Sequence, residues 1–282
     1  MGLVILTAFG CAAPASDPAD PMTHSVTSTV TDVSSNPSID VSADAPSTDL
    51  STDSEEPESM DIFSQENSQP EESDGSEGFV LVSDVIPEVI LEIRYFSTYN
   101  FVGERIDGYE QPCALLTKEA AQALKAVNDD LMEQGYRLKI FDAYRPQTAV
   151  EHFVRWAEDL NAEEMKPYFY PDVEKSRLFQ EGYISSKSDH SRGSTVDLTL
   201  FDDKTGKEVD MGSPFDYFGA ISHSKHTSGI TEEQIANRKL LRDVMVKHGF
   251  RPISTEWWHF RLIEEPYPDT YFNFPVSADS VK

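Results

Sequence analysis

The sequence predicts an α+β domain built on a mainly antiparallel sheet flanked by helices. Three observations point there. Stretches with strand alternation and stretches with helical spacing are interleaved, with no regular βαβ rhythm and no internal repeat. Composition breaks near residue 78. Met1–Gly78 carries 16 Asp+Glu and no Lys or Arg, so the formal charge of −27 divides into −16 there and −11 beyond. Beyond the break, the roughly 200 residues from Phe79 onward are enough for one domain with a sizeable core.

Taken in order, the chain opens on "MGLVILTAFGCAAPAS". Leu3–Phe9 is an apolar run too short to span a bilayer. Residues 1–11 look like the end of a secretory signal, and "AFGC" resembles a lipobox that would place a lipid anchor on Cys11. The expected location is then the cell envelope, with an exported, membrane-anchored protein. The alternative is a fortuitous apolar start in a cytoplasmic protein. Residues 12–78, rich in Ser, Thr, Pro and acids, bury too little apolar surface to offset the entropy of ordering and are expected to be a disordered tether. The acidity of both parts excludes nucleic acid as a partner, because that binding rests on Lys and Arg neutralising phosphates. It also opposes adsorption to an anionic membrane surface.

Residues 79–282 form the expected domain. Val80 and Val82, then Val89, Leu91 and Ile93, alternate as short strands do. "TKEAAQALKAVNDDLMEQG" reads as a helix capped by Thr117, striped by Ala120, Leu124, Val127 and Leu131, and ended by Gly135. "YRLKIFDAY" alternates as a strand. "RPQTAVEHFVRWAEDL" opens a helix at Pro146, with Ala149, Phe153 and Trp156 inward. "DLTLF" reads as a strand. "TEEQIANRKLLRDVMVKHG" is a third long helix with Ile235, Leu241 and Met245 inward. "TEWWHFRL" is a strand candidate in which Trp257 and Trp258 would point to opposite faces, one to the core and one to a site wall. Cys11 and Cys113 are the only cysteines, so no disulfide framework or CxxC zinc site exists, and Cys113 reads as a small buried hydrophobe.

Four polar clusters interrupt this pattern: "FDAYRP", "SKSDHSRGSTVDLTL", "MGSPFDYFG" and "STEWWHF". His190 and Asp197 are both good metal ligands, but an offset of seven puts them on opposite faces of a straight strand. They can share a metal only if the chain bends, which Gly193 allows. A surface His and a turn-capping Asp is the competing reading. Glu256 and His259, three apart, likewise face opposite sides unless the strand bulges or ends there. They are either a base and a ligand or a rim Glu and a satisfied core His. Together, His190, Asp197 and His259 make three ligands with a fourth position left open, which is the pattern of a catalytic metal rather than a closed structural one.

The order His-x6-Asp then Glu-x2-His resembles the zinc D-Ala-D-Ala peptidases, and within them the D-alanyl-D-alanine dipeptidases of the VanX type. Ser188, His190, Gly193 and Asp197 match their motif S-x-H-x-x-G-x-A-x-D, and Glu256, Trp258 and His259 match E-x-W-H. Thr195 departs, standing where that motif has Ala. The resemblance runs from about Phe79 to Pro275 and takes in "AYRP" and the tail "EEPYPDTYFNFPV". It implies a hedgehog/DD-peptidase-like zinc domain, one zinc ion per chain held by His190, Asp197 and His259, and hydrolysis of D-Ala-D-Ala to D-alanine. Glu256 would deprotonate a metal-bound water, and Arg145 would steady the oxyanion. Asp216 would bind the substrate ammonium, and Ser188 would donate to its carboxylate. His223 and His226 are read as lying behind the ligands or on the surface. Two alternatives remain. One is a D,D- or L,D-carboxypeptidase acting on peptidoglycan stem peptides. The other is a non-catalytic cell-wall-binding lipoprotein.

Overall fold

The computed structural model describes residues 75–282. The signal- and lipobox-like segment at 1–11, with Cys11, and residues 12–74 of the expected tether lie outside the described residues. Within them the order is β1 (Phe79–Leu81), α1 (Val82–Val85), β2 (Ile90–Leu91), β3 (Leu115–Thr117), α2 (Lys118–Met132), β4 (Tyr136–Asp142), α3 (Gln147–Glu158), α4 (Lys166–Phe169), β5 (Thr195–Asp202), β6 (Lys207–Glu208), α5 (Glu232–Lys247), β7 (Phe250–Pro252) and β8 (His259–Leu262). The main sheet runs β2-β4-β5-β8-β7, with β6 paired to the far end of β5. Only the β2–β4 pairing is parallel; the others are antiparallel. A separate antiparallel pair joins β1 to β3. This is the α+β class that the interleaved periodicities predict.

Local chemistry accounts for the helix ends. The Thr117 hydroxyl accepts the Ala120 N–H at 3.3 Å and opens α2. Thr231 and Gln234 form a reciprocal capping box at the start of α5. Pro146 stands immediately before α3, where its missing N–H costs nothing. The stripe of α2 is fully buried. On α5 the buried face is Arg238, Leu241, Val244 and Met245, with Ile235 only half-buried.

The sheet departs from simple alternation in three places. Val82 ends the first strand pattern and starts the one-turn α1. A β-bulge interrupts β4 against β5: Ile140 pairs with Leu198, but Asp142 pairs with Asp197. Directly opposed residues share a sheet face, so the bulge carries Asp142 to the face opposite Ile140 and Leu198. Finally, β8 begins only at His259. Residues 254–258 are irregular, so strand parity does not apply to Trp257 and Trp258. Both turn into the core, at 4% and 2% exposure. Neither lines the cleft described below; Trp258 packs edge-on to Phe215, and Trp257 Nε1 donates to Ser213 Oγ at 3.0 Å.

Between Ser188 and β5 the chain makes the bend that Gly193 allows. A 3-10 turn, Asp189–Arg192, ends at Gly193 with φ 78°. A Cβ there would lie 2.2 Å from the buried ring of Phe79, whereas Gly135, also left-handed at φ 85°, has nothing within 4 Å. Gly193→Ala is therefore expected to cost about 3 kcal/mol, adding overpacking to left-handed strain, and Gly135→Ala about 1 kcal/mol. Urea unfolding midpoints check both, and equal losses would refute the crowding argument.

Candidate metal and substrate site

The site is built on one row of residues across the middle of the sheet. Register sets Asp142 of β4 opposite Asp197 of β5, and Asp197 opposite His259 of β8. The 3-10 turn brings His190 over this row. Its Nε2 lies 3.2 Å from Asp197 Oδ2 and 3.2 Å from His259 Nδ1, and His259 Nδ1 lies 3.1 Å from Asp197 Oδ1. All three side chains are buried, and their ligand atoms lie within 4.8 Å of one another.

The protonation pattern suits a cation. His190 Nδ1–H donates to the Ala143 carbonyl at 2.7 Å, which leaves its Nε2 lone pair facing the cluster. Asp197 Oδ1 is buried and accepts no aligned hydrogen bond, although His259 is close. Buried acceptors converging on one point are costly unless a positive ion joins them. Burial pushes the Asp197 carboxyl up, but the adjoining imidazoles, when protonated in the absence of a metal, outweigh it and hold the carboxyl well below the usual range. These donors fit a divalent metal ion.

Glu256 sits beside the cluster and off it, half-buried, with Oε2 3.5 Å from His259 Nδ1. It reaches the same point as His259 because the strand starts after it. Its segment is pinned by Trp257 N–H to the Ser222 carbonyl at 2.9 Å and Ser224 Oγ to the Glu256 carbonyl at 3.1 Å. Burial raises its carboxyl, with His259 pulling the other way. That leaves a carboxylate readier than usual to take a proton.

Arg145 stands on the other side, held rigidly. Its Nε and Nη2 both donate to Asp142 Oδ2 at 2.9 Å, and its guanidinium lies over the rings of Tyr95 and Phe153 at 5.0 and 5.2 Å. Nη2 is also 3.6 Å from Asp197 Oδ2. Asp142 accepts the Tyr109 hydroxyl on its other oxygen at 2.6 Å and lies 3.6 Å from His190 Nδ1. The sequence reading missed Asp142, Tyr109 and Tyr95. The available signal was the acid closing the apolar strand "KIFD", three residues before Arg145.

Asp216 is brought to the same cleft. Among the described residues it is the only non-glycine with a left-handed backbone, at φ 60°, and Tyr95 donates to its Oδ2 at 3.0 Å. Burial, then Asp197, raises its carboxyl well above the ordinary value. Ser188 Oγ accepts the His190 N–H at 3.3 Å and lies 3.5 Å from Arg145 Nη1. The cleft, about 240 Å³, is lined by all seven residues singled out from the sequence and walled by Tyr95, Phe101, Phe153, Tyr183 and Phe218. His223 and His226 lie outside it; His226 Nε2 meets the Ser228 carbonyl. Cys113 is half-buried against the core, with its thiol pushed up to about 11 by burial.

Residues 75–277 match the peptidase M15 family, described as D-Ala-D-Ala dipeptidase. A D-alanyl-D-alanine dipeptidase of Enterococcus faecalis is 43% identical over 201 residues, covering 71% of this chain and 98% of that protein. Dipeptidases of the same description from Enterococcus faecium and Streptomyces coelicolor are 40% and 37% identical over 199 residues, again covering 71% and 98%. With the family matched over most of its length and its relatives covered almost end to end, this chain belongs to the D-Ala-D-Ala dipeptidase family of peptidases.

Proposed function

We propose that this chain is a zinc-dependent hydrolase of the free dipeptide D-Ala-D-Ala, releasing D-alanine. The single observation that carries the reading is the convergence of His190, Asp197 and His259 with Glu256 beside them and off the cluster. One ligand atom from each residue lies within 4.8 Å of the others, and His190 and His259 approach different oxygens of the same Asp197 carboxylate, so the three residues could hold one ion between them. Zinc in this site would lower the pKa of water and polarise the scissile carbonyl.

The chain's own groups divide the remaining work. Glu256 takes the proton of the attacking water and passes it to the leaving amine, a role suited to its raised proton affinity. Arg145, locked by Asp142 and two aromatic faces, presents a fixed positive charge where the carbonyl oxygen becomes an oxyanion. Asp216 receives the substrate ammonium. An incoming cation supplies the counter-charge that this buried carboxyl lacks, so binding itself favours its ionised form. Ser188 donates to the substrate carboxylate. The aromatic wall excludes water and strengthens these fields. An exported enzyme, tethered through Cys11 by the acidic segment, belongs to the same proposal, supported by the apolar opening and "AFGC".

Three outcomes are expected. Glu256→Gln should retain stoichiometric zinc by elemental analysis while kcat falls by about 10²–10⁴, and His259→Ala should lose the metal. Wild-type rates on Glu256→Gln would refute its role as base, and absence of metal in the wild type would favour a binding protein. Asp216→Asn should lower kcat/KM for the dipeptide by about 10–100-fold, roughly the worth of a charge-assisted contact. Equal wild-type activity on a D-Ala-D-Ala-terminated pentapeptide would favour the carboxypeptidase reading instead. Intact mass of protein purified from membranes should reveal a diacylglyceryl group on Cys11; an unmodified thiol would remove the anchor.

A further inference from the structure

The dipeptide substrate is a zwitterion, and the functional reading above leaves one of its charges without a counter-charge. Ser188 offers only a neutral hydroxyl to the carboxylate. The acidic groups of the cleft, Asp197, Asp216 and Glu256 among them, offer an incoming anion no counter-charge. Arg145 is engaged by Asp142 at 2.9 Å and belongs to the scissile carbonyl in that reading.

One other side chain with a permanent positive charge lines the cleft, Lys187. It immediately precedes Ser188 and is exposed at the mouth. Its backbone N–H is held by Ser185 Oγ at 3.4 Å, and its Nζ lies 5.1 Å from the centre of the Tyr271 ring. Among the described residues no carboxylate lies within ion-pair distance of it. Contacts order the wall that leads to it. Asp216 bonds Tyr95 at 3.0 Å, the Arg145 guanidinium lies 5.0 Å over Tyr95, and Arg145 Nη1 is 3.5 Å from Ser188 Oγ, next to Lys187. Acid, guanidinium and hydroxyl thus follow one another, in the order of the ammonium, carbonyl and carboxylate of a dipeptide, and Lys187 lines the cleft as the next residue along the chain from that hydroxyl.

We infer that Lys187 is a substrate-binding residue that pairs with the free C-terminal carboxylate, so that the enzyme selects its substrate by charge at both ends. The aromatic face of Tyr271 stabilises the ammonium between turnovers without neutralising it, which leaves the charge available. This inference rests on the dipeptidase reading. It adds a cause for dipeptide preference on the carboxyl side, separate from the role of Asp216 on the amino side.

The test pairs a variant with a substrate analogue. Lys187→Met should lower kcat/KM for D-Ala-D-Ala by about tenfold, chiefly through KM, the modest size following from the exposure of the pair. D-Ala-D-Ala carrying a C-terminal carboxamide should be a poorer substrate of the wild type, and Lys187→Met should change its hydrolysis less than about twofold, because no anion remains to be paired. Lys187→Arg should restore most of the loss. Equal losses on acid and amide, or no loss on the acid, would overturn the assignment of Lys187 while leaving the dipeptidase reading intact. A wild type that leaves D-Ala-D-Ala uncut would overturn both.

Discussion

Two buried carboxylates, Asp142 and Asp197, stand directly opposite each other on neighbouring strands, with His259 next in the same row. Like charges in that position repel, and in a buried site the repulsion is barely screened. Much of the rest of the domain is arranged to compensate. Arg145 comes back from the end of β4 to touch both acids, Tyr109 donates to one of them, and the 3-10 turn delivers His190 to the other. The remaining acceptors are those that a divalent ion would join. On the proposed reading, the catalytic apparatus and the answer to this electrostatic problem are the same atoms.

The arrangement also explains how positive charge is divided. Asp142 engages Arg145 through a single oxygen and faces it from behind, so the guanidinium is oriented toward the cleft rather than neutralised out of it. Tyr95 links two charged groups of the cleft, carrying Arg145 on its ring and Asp216 on its hydroxyl. The aromatic wall of the cleft includes Tyr95 and Phe153, which hold Arg145, and not the tandem tryptophans, which serve the core.

How much of this was legible in the sequence follows from what each residue depends on. The helices and most strands were readable because caps and apolar spacing are local. His190, Asp197, Glu256 and His259 stood out because two pairs, each ambiguous alone, together make three ligands with an acid beside them and match a family motif, and the fold does bring them together. Asp142 was legible only as an acid closing an apolar strand: the face it takes depends on a bulge, and a bulge leaves no periodic trace. Tyr95 and Tyr109 were hidden for a different reason, since they reach the site from irregular segments where no pattern constrains a side chain. Of the two tryptophans, the one assigned to a site wall was misplaced, because strand parity was applied to residues that fold irregularly and both rings turn into the core.

The bulge in β4 has a meaning for anyone who would transplant or redesign this sheet. Up to Ile140, even-numbered side chains belong to the face shared with Leu198 and Leu200; at Asp142 an even-numbered side chain belongs to the other. The strand keeps two incompatible counting schemes, joined at Phe141. The spacer length there encodes function as surely as the identity of the acid does. A β4 that ran regularly through Phe141, with every named residue retained, would set Asp142 opposite Val196 and present its carboxylate to the face of Ile140 and Leu198.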